Sequence, residues 1–110
     1  MGTVTIILSE EQTVFAMGAL QESIDLTEEG RCRPTTRRAG VEVMYEENIA
    51  TKVETLVEMR ASLGGRWDHL DDGINETITD LARGWSDNGW NYCWYRVWSS
   101  YDRFLALRTK

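Results

Sequence analysis

Apolar residues recur every three or four positions through most of the chain and run together only at its start. Thr3 to Leu8 (TVTIIL) is rich in β-branched residues and ends at polar ones, which predicts a short strand. Val41 to Met44 reads either as a second strand pairing with it in a two-stranded ribbon or as the lead into the following helix. Ser9-Glu10-Glu11-Gln12 has the spacing of a capping box, and its two acids favour the positive end of a helix. The first helix is therefore predicted over 10–26, with Val14, Met17, Leu20 or Gln21, and Ile24 inward, Phe15 widening the stripe and Gly30 as the stop. A second helix over 45–63 turns Ile49, Val53, Leu56, Val57 and Leu63 to one side and ends at Gly64-Gly65. A third over 68–83 carries Trp67, Leu70, Ile74, Ile78, Leu81 and Trp85, with Asp71-Asp72-Gly73 as its weak point. Ser86 to Gly89 reads as a turn. A last helix over 90–107 carries Trp90, Trp94, Val97, Trp98, Tyr101 and Leu105. The expected fold is mainly α: about four antiparallel-packed helices with a short N-terminal β-strand or two-stranded ribbon.

A length of 110 residues fits a single domain over 1–110, and a 42% hydrophobic share argues against disorder. No apolar run is long enough for a membrane span. MGTVTIIL has neither the basic start nor the apolar length of a signal peptide, so a cytoplasmic location is expected. Two cysteines, Cys32 and Cys93, fit reduced thiols better than a disulfide scaffold.

The net charge of -6 conceals segregation. Residues 1–30 hold six acids and no bases, and 31–40 (RCRPTTRRAG) hold four bases and no acids. Residues 41–63 and 64–83 each carry -3, and 84–110 carry +2. The acids serve either as solvated helix faces or as a surface for a basic partner, and in the second case Glu10, Glu11, Glu22, Glu28 and Glu29 are its residues. The basic block is expected to be an exposed loop. Its Arg31, Arg33, Arg37 and Arg38 are candidates for phosphate or nucleotide binding, because a guanidinium holds phosphate in a two-pronged contact.

Eight of the 11 aromatics lie in 84–110. The Trp line at helical spacing reads as core. Tyr92 and Tyr95 fall off the Trp90–Trp94–Tyr101 line, Trp98 reads either on it or off it, and exposed rings with Arg96 and Arg103 nearby match the composition of interaction hot spots. A homodimer contact or a site for another protein is expected there.

Little in the chain points to catalysis. The only histidine, in Asp68-His69-Leu70-Asp71-Asp72, has metal-ligand neighbours at helical spacing, but these residue types are equally common in a first helical turn. There is no glycine-rich phosphate loop, no Gly-x-Ser-x-Gly and no Cys-x-x-Cys. A non-enzymatic protein with no catalytic, cofactor or metal residues is expected.

In size, acidity and helical character the whole chain resembles the short accessory proteins of phages and mobile elements, including anti-CRISPR inhibitors of host defence. The resemblance implies a non-catalytic inhibitor in the host cytoplasm. Its carboxylates would occupy a groove that normally holds nucleic-acid phosphates, so the expected partner is a nucleic-acid-handling complex. Two alternatives remain at this level: a phosphate or nucleic-acid binder using the Arg31–Arg38 loop, and a self-associating structural or regulatory protein joined through the Trp-rich helix.

Overall fold

The computed structural model describes residues 2–36 and 38–108. Four α-helices make up most of it: α1 Glu10–Arg31, α2 Ala39–Ala61, α3 Asp71–Asn88 and α4 Trp94–Arg108. Short 3-10 turns at Pro34–Thr36 and Gly65–Leu70 join α1 to α2 and α2 to α3. Cross-helix contacts give the directions. Arg31 and Gly30 meet Glu46 and Tyr45, and Thr27 meets Lys52, so α1 and α2 are antiparallel. Tyr101 bonds Asn75 and Trp94 stacks on Trp85, so α3 and α4 are antiparallel too. The chain is an up-down-up-down bundle in which α2 packs most extensively, against α1 and α4. One apolar cluster runs through it: Met17 and Ile24 from α1, Ile49 to Val57 from α2, Ile74 to Leu81 from α3, and Val97 and Phe104 from α4. No helix is long and apolar enough to cross a membrane among the described residues.

The expected strand is absent: residues 2–9 have no regular secondary structure, and the described residues contain no strand. The reason is the lack of a partner. Val41 to Met44 lie inside α2, and a lone strand has nothing to pair with. The capping box is present as predicted. Ser9 Oγ accepts from the Gln12 amide at 3.1 Å, and Gln12 Oε1 accepts from the Ser9 amide at 2.9 Å.

Five boundaries move, among them the start of α2, at Ala39 rather than residue 45, which takes the end of the expected basic loop into the helix. Helix α1 passes the expected end at residue 26 and continues through Gly30 to Arg31. Gly30 is not a stop but a close-approach site, since a Cβ there would lie 2.9 Å from Tyr45 Cε1. Helix α3 starts later, at Asp71, with Asp71 and Asp72 in its first turn, and runs on to Asn88 before Gly89 at φ 63. Helix α4 starts at Trp94 rather than near residue 90.

The predicted core faces of α2 and α3 are largely correct, with Trp85 the main exception. Those of α1 and α4 need revision. Phe15 is 79% exposed. On α4 the buried line is Val97, Ser100 and Phe104, extended backward by Cys93, while Trp98 is 53% exposed. The real stripe is thus rotated from the tryptophan line. Its phase is set by where the helix begins and by what lies across from it on α2.

Candidate functional site

The loop before α4 is anchored by a buried acid. Glu46 is fully buried, and its carboxylate accepts from the backbone amides of Asn91 (3.1 Å), Tyr92 (2.7 Å) and Cys93 (3.2 Å). Those amides precede the first turn of α4, so Glu46 determines where that helix starts. Behind the carboxylate lies Arg31, 1% exposed. Its Nη1 is 3.7 Å from Glu46 Oε2 and donates to the Gly89 carbonyl at 3.3 Å. Its Nε donates to Glu28 at 2.5 Å, and the guanidinium sits 5.0 Å from the Trp90 ring centroid. Glu28 also accepts from the Trp90 indole at 2.8 Å. Arg31 Nη2 is buried without a hydrogen bond. Burying these charges carries a desolvation cost, offset here because nearly every polar atom has a partner.

This cluster reassigns two predicted binding residues and places Cys32. Arg31 does not belong to an exposed phosphate-binding loop, because its guanidinium points inward. Glu28 does not belong to an acidic docking face, because its carboxylate is shared by Arg31 and Trp90. Cys32 sits beside two arginines in sequence, yet its thiol donates to Glu28 Oε1 at 3.5 Å. Arg33 and Arg38 are exposed, and Arg37 lies outside the described residues.

The two arginines of the aromatic helix are also engaged internally. Arg96 grips Glu54 with two donors, Nε at 3.0 Å and Nη2 at 2.5 Å, and also reaches Thr51. Arg103 pairs with Glu58. Both salt bridges run from α4 to α2, so they orient the helix rather than await a partner. Burial pushes the Cys93 thiol up, with Arg96 acting against it and Glu46 and Glu47 adding to it. Both cysteines are thiols.

Two surfaces remain. The first is acidic. Glu22, Asp25 and Glu29 are exposed and lie three and four residues apart on one side of α1. Asp25 faces Asp80 and Glu76 of α3, and its carboxyl is held above the usual range by partial burial first, then by those two acids. Asp80 is bonded by Arg83 at 2.8 Å, and among the described residues no base is paired with Asp25. Glu10 and Glu11 stand at the other end of α1, with Arg66 at 3.6 and 3.7 Å.

The second surface is aromatic. Trp85 and Trp94 stack with ring centroids 5.7 Å apart, and Trp94 meets Trp90 edge-on at 5.5 Å. Ala82, Tyr95, Trp98 and Ser99 complete a groove of about 670 Å³ between α3 and α4. Tyr95 is exposed as expected, and so is Tyr92. The tryptophans beside Tyr95, expected in the core, line this surface instead.

The chain matches no protein-family model, no curated protein and no solved structure. Function therefore rests on these surfaces. The Asp-His stretch does not converge on a metal. Asp68 bonds Arg60 at 2.7 Å, His69 lies against Trp67, and Asp72 faces Arg108 at 3.8 Å.

Among the residues missed from sequence, Arg31, Glu46 and Arg60 are the instructive ones. Each is an ionisable residue in phase with an apolar stripe: Arg31 seven after Ile24, Glu46 seven before Val53, Arg60 four after Leu56. A charge in phase with a core face is the signal that finds them.

Proposed function

We propose that the protein is a small non-catalytic binding module that sets its acidic stripe against the basic surface of a nucleic-acid-handling protein. An accessory inhibitor carried by a phage or mobile element, of the anti-CRISPR kind, is the form this reading takes. The supporting observation is Asp25. It is kept partly desolvated beside Asp80 and Glu76, with no base paired to it among the described residues, at a cost to the fold. Glu22 and Glu29 extend the same side of the helix. Carboxylates along a helix present negative charge at intervals that a phosphate-binding groove accepts, and such complementarity speeds encounter and selects the partner.

The test uses affinity capture from bacterial lysate by the wild-type chain and by the combined E22K, D25K and E29K variant. The expected result is a nucleic-acid-binding protein held by the wild type and released by added salt or a duplex DNA competitor. The variant should bind it at least tenfold more weakly. Capture unaffected by charge reversal would overturn the reading, as would direct binding of the DNA to this chain.

A further inference from the structure

We infer that the exposed N-terminal arm, residues 3–8, docks in extended form into the α3/α4 aromatic groove of a second copy of the chain, each copy giving its arm to the other in a two-fold dimer. The arm is the first unsatisfied surface. Val4 is 85%, Ile6 68% and Ile7 96% exposed, and these residues form no strand. The backbone amides and carbonyls of Thr3 to Leu8 make no hydrogen bonds among the described residues. Exposed apolar chain of this kind is ordinarily covered in a folded protein. The groove is the second such surface. It is lined by Ala82, Trp85, Trp94, Tyr95, Trp98 and Ser99, with Tyr95 69% and Trp98 53% exposed.

The two match in charge and in spacing. In a chain of net charge -6, neither the arm nor the groove lining contains a charged residue, so two like-charged copies meet there without direct repulsion. Alternate arm residues Val4, Ile6 and Leu8 share one side of an extended chain and recur about every 6.6 Å. Residues four apart on α4, such as Trp94 and Trp98, recur about every 6.0 Å. An arm lying along α4 therefore keeps its side chains in step with the rings.

Reach shows that the arm must come from another copy. It leaves α1 at Ser9, whereas the groove's Trp85 end lies beside Glu28, which approaches Gly84. Ser9 and Glu28 are about 28 Å apart along the helix. Residues 2–8 span at most about 24 Å when fully extended, and they would also have to cross α3. An arm cannot lie along its own groove, but two copies related by a two-fold axis exchange arms reciprocally.

The experiment is sedimentation velocity from micromolar to high-micromolar concentration, on the wild type, Ile6→Lys, Trp98→Lys and an equal mixture of the two variants. Far-UV circular dichroism confirms that each is folded, which is expected because both side chains are exposed. The wild type should be dimeric and each variant monomeric. In the mixture, the Trp98→Lys copy supplies an intact arm and the Ile6→Lys copy an intact groove. Association should therefore return at least tenfold more strongly than in either variant alone. The inference is overturned by a monomeric wild type, by an open-ended polymer, by dimers that survive either substitution, or by a mixture that stays monomeric. A dimer lost only in Trp98→Lys would mean that grooves pair with each other. A dimer lost only in Ile6→Lys would mean that arms do.

Discussion

Arg31 shows how one residue connects sequence, packing and electrostatics. Read along the chain it is one of four arginines in a basic block, and in the fold it is a buried cation held by Glu28, Glu46 and the Gly89 carbonyl. Removing one member of such a group leaves the others charged and unpaired, so Arg31→Ala should destabilise the protein by about 3–5 kcal/mol. That is a large part of the ~5–15 kcal/mol typical of a domain. Urea unfolding at neutral pH measures it. Arg33→Ala, at an exposed position two residues away, should change the midpoint little. Asp25 works in the opposite direction. Its carboxyl is raised in the folded state, so the native protein binds a proton more readily than the unfolded chain. Stability should then fall as pH rises from the ordinary carboxyl range through the raised value. Asp25→Asn should raise Tm by roughly 1–3 °C at pH 7, because exposed like charges are screened and repel by only a few tenths of a kcal/mol. Thermal melts should show that gain shrinking toward pH 4.

At the scale of elements, α4 carries the main lesson. Its tryptophans are spaced like a core stripe, and size alone makes them the natural candidates for burial. The helix instead turns Val97 and Phe104 inward. Glu46 fixes its first turn, and Arg96 and Arg103 attach one flank to Glu54 and Glu58 on α2. With both anchors on α2, the ring line is rotated outward toward α3. Phe104→Ala should therefore cost about 3–5 kcal/mol by leaving a cavity. Trp98→Ala, made in the monomeric Ile6→Lys background, should cost less than about 1 kcal/mol, as surface changes do. Equal losses in denaturant titrations would mean that the tryptophan line is the core after all. Helices α2 and α3 were legible in sequence because their apolar residues are aliphatic and evenly phased. The strand was not, because a run of β-branched residues becomes a strand only when another strand lies beside it.

Across the whole molecule, folding changes what the charges offer. Arg31, Arg60, Arg96 and Arg103 are all engaged by carboxylates of the same chain, which leaves Arg33 and Arg38 as described members of the basic block facing solvent. The protein should accordingly pass unretained through a heparin column at physiological salt and bind an anion exchanger. Retention on heparin that is lost in an Arg33→Ala, Arg38→Ala variant would instead revive the phosphate-binding alternative. The acids end on one side of α1 and α3, and the rings end between α3 and α4. The molecule thus presents an acidic surface and an uncharged aromatic one, assigned above to a basic partner and to a second copy.

The number of helices, the first cap and the inner faces of α2 and α3 can be read from the order of residues alone. These follow from the 3.6-residue period, from capping chemistry and from breakers such as Gly64-Gly65, all of which act over a few neighbouring residues. The inward turn of Arg31 and Glu46, the passage of Gly30 against Tyr45 and the groove lined by Trp85, Trp94 and Trp98 come from packing between helices. The first two join residues 15 positions apart and the third joins rings on different helices, and no local pattern encodes which helix face a side chain will meet. For the same reason residues 3–8, with no strand beside them among the described residues, remain an exposed arm without regular structure.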